Sequence, residues 1–277
     1  MNGDRLDLDL SGVALRVEGI GASWCGWLRE HWGPFVGSGP CDPFLTVVVE
    51  EGAAKLEGDW DPKSMRSTLS ALGARYTLAE GSAHVDGSGR ATVRLAAGLQ
   101  QRGYWAMQNL IRACLAWSLP GRGGALLHAA GLVVDGRAFV MVGAEGAGKT
   151  TWSALGARDG AHVVSDDLVL IDGVGAQPVV AGAPFRSTAQ GELRPGRWPL
   201  AALLFPHHGT STAVAPIPVM LGQARVAANL PFIAEGIEQD ARIGDLVERL
   251  AGETPCAQLT FGLEGSFLPA LRSWPRR

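Results

Sequence analysis

Gly143-Ala144-Glu145-Gly146-Ala147-Gly148-Lys149-Thr150 decides how this chain is read. The stretch matches the phosphate-binding pattern G-x-x-x-x-G-K-[ST], and its flanks suit it. Upstream, Arg137-Ala138-Phe139-Val140-Met141-Val142 is an apolar run of strand length. Downstream, Thr151-Trp152-Ser153-Ala154-Leu155-Gly156-Ala157 can continue as a helix. A strand that turns through glycines into a helix aims backbone N–H groups and the positive end of the helix dipole at one spot, where an anion binds. Residues Gly143 to Thr151 are therefore expected to cradle the phosphates of ATP or another nucleoside triphosphate. Lys149 would reach the outer phosphates and the Thr150 hydroxyl would ligate Mg²⁺.

Spaced glycines alone would not carry this reading, because the chain contains 38 of them. Lysine discriminates. Only Lys55, Lys63 and Lys149 occur in 277 residues, so arginine is the default cation. Such a composition keeps lysine where a compact ammonium is needed.

The totals narrow the class. A chain of 277 residues, 47% hydrophobic and 18% charged, has the makings of one large cored domain or two small ones. A net charge of −3 leaves no electrostatic footprint for nucleic acid or an anionic membrane. No apolar run reaches the length of a membrane span, and Met1-Asn2-Gly3-Asp4-Arg5-Leu6-Asp7 is too polar and acidic for a secretory signal. Cys25, Cys41, Cys114 and Cys256 have no metal-ligand spacing and read as buried thiols of a cytoplasmic protein.

Pro120-Gly121-Arg122-Gly123-Gly124 breaks the pattern and sets the expected boundary between a small α+β domain over 1–120 and a nucleotide-binding domain over 121–277. In the first, alternation predicts strands over 5–18, Phe44–Val49, 74–79, 82–86 and 90–96, with irregular chain over 51–70. Helices are predicted over 22–32 and 101–118. The second helix carries Tyr104, Met107, Ile111, Cys114 and Leu115 on one face, an apolar stripe suited to a core. In the second domain a strand over 125–134 runs through the hairpin signal Asp135-Gly136 into the loop strand. Further strands are expected over 161–165, 168–172, 201–205 and 256–261, helices over 149–157, 219–230 and 236–251, and a mobile loop over 179–199.

Two adjacent carboxylates, Asp166 and Asp167, follow the strand over 161–165. Open α/β sheets place their sites at such strand ends. Neighbouring side chains point to opposite faces, so the two would have different tasks. One would hold Mg²⁺, directly or through water, and the other would accept the proton of an attacking hydroxyl. Phosphoryl transfer needs little more than a phosphate cradle, a metal and such a carboxylate. His128 lies at the open end of the hairpin, where it could sit near the phosphates. His162 reads as a core residue and His207-His208 as loop.

His128-Ala-Ala-Gly-Leu-Val-Val-Asp, then Gly143–Thr150, then His162-Val-Val-Ser-Asp166-Asp167 resembles the HPr kinase/phosphorylase superfamily. His128 precedes Gly143 by fifteen residues and Asp167 follows Lys149 by eighteen, as in that family. A weaker echo runs over Leu259-Thr-Phe-Gly-Leu-Glu-Gly-Ser-Phe267. The resemblance implies an α/β fold: a P-loop kinase domain of the HPr kinase/phosphoenolpyruvate carboxykinase type, here preceded by the small α+β domain. It implies Asp167 as general base, Lys149 stabilising the transferred phosphate, Thr150 on Mg²⁺ and His128 beside the phosphates. The family's later signature, a second Mg²⁺ carboxylate and an active-site arginine, finds its nearest counterparts in Glu192 and Arg186.

That departure, and an N-terminal region unlike the family's regulatory domain, argue against HPr itself as substrate. The expectation is an ATP- and Mg²⁺-dependent kinase acting on a Ser hydroxyl of a peptide or small protein. The alternatives are a small-molecule kinase or carboxykinase-like enzyme, with Arg186, Arg194 or Arg197 clamping an anionic substrate, and a non-catalytic nucleotide-binding regulator. Neither nucleic acid nor membrane is expected as a partner. The resemblance allows a homo-oligomer.

Overall fold

The computed structural model describes residues 4–37, 42–53, 65–99, 101–185 and 194–275. It is a mixed α/β chain with two sheets. The chain forms two compact units, Met1–Gly121 with Glu235–Arg242, and Arg122–Ala234 with Ile243–Arg277.

The first unit contains β1 (Asp4–Asp9), β2 (Ala14–Ile20), α1 (Ala22–Trp32), β3 (Leu45–Ala53), β4 (Arg66–Ser70), β5 (Gly73–Leu78), β6 (Gly81–Asp86), β7 (Arg90–Ala96) and α2 (Gln101–Ser118). Its seven strands lie in the order β1-β2-β3-β7-β6-β5-β4. The β2–β3 and β3–β7 pairs are parallel. Period-two alternation makes the sheet one-sided. Tyr76, Leu78, Val85, Val93 and Leu95 are buried with Met107, Leu110 and Ile111 of α2, while Arg75, His84, Arg90 and Arg94 face out. The stripe on α2 is core except at its start, where half-buried Tyr104 stacks on Trp27 at 5.0 Å between ring centroids. The strand β4 falls inside the stretch expected to be irregular. Leu69 is the one apolar residue among its five, so it carries no hydrophobic alternation, and hydrogen bonding to β5 makes it a strand.

The second unit contains β8 (Ala125–Val134), β9 (Arg137–Val142), α3 (Lys149–Arg158), β10 (His162–Ser165), β11 (Leu168–Asp172), β12 (Val179–Ala181), β13 (Arg197–His208), β14 (Ala213–Pro216), α4 (Val219–Ala227), α5 (Ala241–Glu253, its first two residues in the first unit), β15 (Cys256–Phe261) and α6 (Leu268–Arg272). Most pairing is antiparallel. Only β13 runs parallel to its neighbours β9 and β15 among the described residues. The strands are therefore not the open parallel stack that the strand-end argument assumed. Instead β8 lends its first half to β11 and its second half to both β9 and β10. With β12 and β13 completing the path, hydrogen bonding runs in a closed circuit β8-β11-β12-β13-β9-β8.

The core of this unit gathers Leu132, Phe139, Met141, Trp152, Leu204, Leu259, Phe267 and Leu271. Trp152 anchors α3 by stacking on Phe267, 5.6 Å between centroids. Burying such a side chain contributes roughly 2–3 kcal/mol. Gly156 lets α3 approach β8, since a Cβ there would stand 2.4 Å from Leu132 Cδ1.

Several boundaries in this unit differ from the sequence expectation. The ends of the 179–199 stretch belong to β12 and β13, too short or too proline-marked to show periodicity; residues 186–193 lie outside the described residues. His207 and His208 end β13 rather than opening a loop, because Thr260 and Phe261 of β15 pair with them. The helix expected from 236 starts at Ala241, after Asp240, whose Oδ1 accepts the Arg242 N–H at 3.0 Å. That carboxylate satisfies a first-turn donor, as an N-cap residue does.

Candidate active site

The site begins with the β8–β9 hairpin. Asp135 and Gly136 both take positive φ, 50° and 76°, the geometry of a two-residue turn that matches strand twist. The tight turn fixes the register, so Ala129 faces Val142, the last residue before the loop. His128, one residue further from the turn, is thereby carried to the loop's side.

The loop itself is shaped by glycine. Gly146 and Gly148 hold φ of 78° and 92°, a region closed to most side chains. A Cβ on Gly143 would stand 2.9 Å from Ala147 Cβ and 3.4 Å from Pro206 Cγ, so the chain passes there only without one. Gly148 is the N-cap of α3 and offers no side chain, and no side-chain cap bonds the first turn. The first-turn N–H groups of such a helix have no intrahelical partner. Thr150 and Thr151 are exposed there, whereas Lys149 is 7% exposed.

Lys149 Nζ donates to Gly143 O at 2.6 Å, to Ala144 O at 2.8 Å and to His128 Nε2 at 3.0 Å. An ammonium has three hydrogens, so these acceptors saturate it. Nε2 must then be the unprotonated nitrogen, which leaves the ring proton on Nδ1. That nitrogen lies 3.6 Å from Asp167 Oδ1. Burial, then the Lys149 charge, hold the His128 pKa below its ordinary value. Burial likewise lowers the Lys149 pKa, against the opposing pull of Asp167 and Glu145.

Asp167 is fixed through its backbone. Its carbonyl accepts the Ala129 N–H at 3.0 Å, and its own N–H donates to Ser165 Oγ at 3.1 Å. The buried Ser165 hydroxyl donates in turn to Phe185 O at 2.5 Å. Asp166 is 3% exposed, whereas the Asp167 side chain keeps 26% exposure, so the two carboxylates lie in different environments. His162 stands apart, 5.3 Å from the Trp198 ring.

Thus Gly143–Thr151, Lys149, His128 and Asp167 form one locality, with Asp166 buried in the chain beside it. Arg186 and Glu192 lie outside the described residues. Three contributors gave no sequence signal of their own. Asn229 O accepts the His128 N–H at 2.9 Å. Pro206 backs Gly143, and Phe261 Cζ lies 3.8 Å from where a Cβ on Gly148 would be. Phe261 falls within the Leu259–Phe267 echo, the one hint that the C-terminal segment belongs here.

A phosphate chain fits this donor set: positive-φ glycines, an uncapped helix start and a lysine ammonium converge on one loop. Among the described residues no three His, Cys, Asp or Glu gather as a metal-binding group. A Mg²⁺ ion held here would take most of its ligands from water and phosphate, as that ion commonly does. No described helix is long and apolar enough to cross a membrane. Cys25, Cys114 and Cys256 are buried free thiols.

No family model matches the chain, and no curated protein matches it in sequence. Among solved structures, the HPr(Ser) kinase/phosphatase from Coxiella burnetii is similar over 53% of this chain and 90% of that one, at 13% identity and a TM-score of 0.28. So loose a superposition assigns no reaction, and the chemistry rests on the residues themselves.

Proposed function

We propose that the second unit is an ATP- and Mg²⁺-dependent phosphotransferase, a P-loop kinase of the HPr kinase/phosphoenolpyruvate carboxykinase type, that phosphorylates a Ser hydroxyl of a peptide or small protein. The observation that carries this is the chain of contacts from the loop to a carboxylate: Lys149 Nζ to His128 Nε2 at 3.0 Å, and His128 Nδ1 to Asp167 Oδ1 at 3.6 Å. A phosphate-binding loop and a partly exposed carboxylate placed this close are the two protein parts that phosphoryl transfer requires.

The nucleotide supplies the transferable phosphoryl group, and Mg²⁺ offsets its charge. Residues Gly143 to Thr151 would hold the phosphates through backbone N–H groups. The Lys149 ammonium would exchange its carbonyl acceptors for phosphate oxygens. Thr150 and Asp166 would hold the metal, Asp166 through water given its burial. Asp167 would take the proton of the acceptor hydroxyl. His128, kept neutral by burial and by Lys149, would orient the Asp167 carboxylate without adding a second cation.

Two measurements test this. Calorimetry should show ATP–Mg²⁺ binding to the full chain and none to Lys149→Ala. With labelled ATP, a Ser-peptide library should accept phosphate in preference to a metabolite panel, and Asp167→Asn should lose transfer while retaining ATP binding. Transfer at the unaltered rate in Asp167→Asn would remove the assigned base.

A further inference from the structure

The phosphate loop has two flanks. On one, β8 carries His128, and Asp167 stands at the head of β11 beside it. On the other lie β13, parallel to β9, and β15, parallel to β13. Pro206 Cγ of β13 lies 3.4 Å from where a Cβ on Gly143 would be, and Phe261 Cζ of β15 lies 3.8 Å from that of Gly148. Phosphotransfer uses the first flank and gives the second no task.

Strand register defines what the second flank presents. Pro206 is aligned with Leu259, and His208 with Phe261. Leu204, Leu259 and Phe261 all pack with Trp152 of α3 in one core cluster. Alternation turns Pro206 and His208 to that same face, so His208 stands next to Phe261 at the ends of both strands. His208 is exposed and Phe261 is half-buried, held edge-on against Phe267 with centroids 5.8 Å apart. Phe139, Trp152 and Phe267 of the same core are buried. The chain beyond the pair, Gly209-Thr210-Ser211-Thr212, is exposed and lies close to Gly262, where a Cβ would stand 3.0 Å from Thr210 O.

We propose that Phe261 and His208 form the platform on which the base of the nucleotide stacks, and that this base is a purine. The inference rests on the phosphotransferase reading, which turns the outermost phosphate toward Lys149 and Asp167. The base end must then leave the loop by the opposite flank. From β8 through β9 and β13 to β15 is three strand steps, roughly 14 Å at the usual spacing, a span that an extended nucleoside triphosphate bridges. Bases stack on aromatic faces, and the fused rings of a purine offer more area than a pyrimidine. The hydroxyls of Thr210, Ser211 and Thr212 can bond the ribose or the base edge. An acceptor peptide fits this flank less well, because its hydroxyl must reach Asp167 on the other.

The test is calorimetric titration of the full chain with the Mg²⁺ complexes of ATP, CTP and inorganic tripolyphosphate. ATP should bind about tenfold more tightly than tripolyphosphate, and more tightly than CTP. Phe261→Leu keeps an apolar side chain against Gly148 and Phe267. It should lower ATP affinity about tenfold and leave tripolyphosphate affinity unchanged. His208→Ala should weaken ATP several-fold with the same selectivity. Thermal melts of each variant confirm folding. ATP binding no tighter than that of CTP or tripolyphosphate, unchanged ATP affinity in both variants, or a Phe261→Leu loss shared equally by ATP and tripolyphosphate would overturn the platform and leave the phosphate site standing. Failure of the unaltered chain to bind either ATP or tripolyphosphate would remove the platform and the phosphotransferase reading together.

Discussion

Lys149 spends its third hydrogen on Nε2 of His128, 3.0 Å away, after giving the other two to the carbonyls of Gly143 and Ala144. The phosphate loop and the strand beside it are thus joined by a cation and an uncharged imidazole. Desolvating the ammonium costs stability, and the three hydrogen bonds return some of it.

Lys149→Met should therefore change the melting temperature little, with the opposing effects offsetting to within about 1 kcal/mol. ATP–Mg²⁺ should raise the melting temperature of the unaltered protein and leave that of the variant unmoved. Differential scanning calorimetry with and without nucleotide reads both effects.

Acid should weaken the second unit through His128. Its folded pKa lies below the ordinary 6.5, through burial first and Lys149 second. Between that depressed value and 6.5 the unfolded chain takes up a proton that the folded chain refuses. Stability attributable to this group therefore falls as pH drops through 6.5 and levels off below the folded pKa. His128→Gln should flatten that part of a stability–pH profile measured by urea denaturation from about pH 8 to 5.

How far such a site can be read from sequence depends on the range of its contacts. Lys149 and His128 are 21 residues apart, yet a two-residue turn at Asp135-Gly136 fixes the register that joins them. Asp167 follows because β11 runs back along β8, with Leu168 opposite His128. Asn229, Pro206 and Phe261 reach the same place from distant elements, and no spacing rule could deliver them. The strands β4 and β12 escaped because one is almost wholly polar and the other has three residues.

Ser165 should matter more than its neutral side chain suggests. Its hydroxyl accepts the Asp167 N–H and donates to Phe185 O, tying the carboxylate corner to the segment beyond β12. Ser165→Ala removes one hydrogen bond from each of them and should cost about 1–3 kcal/mol. Hydrogen exchange at the Asp167 amide should accelerate, with little change at Leu170 in mid-strand.

Gly156 and Leu132 should prove coupled. A methyl on Gly156 would collide with Leu132, buried in the core. Gly156→Ala should destabilise by about 1–3 kcal/mol despite the better helix propensity of alanine. Leu132→Ala alone removes core volume and should cost about 2–5 kcal/mol. Combined, the two changes should destabilise by less than the sum of their separate costs, because the new methyl fills part of the space vacated. A double-mutant cycle by chemical denaturation measures the interaction.

The divided allegiance of β8 restricts where this protein can tolerate added length. Its residues 125–128 bond β11, and its residues 129–134 bond β9. Adding one residue at the junction would invert the inward and outward side chains of one half relative to the other. His128 would then leave the lysine whichever half kept its register. The Asp135-Gly136 turn is no more permissive, since its two residues set the β8–β9 register that brings His128 to the loop.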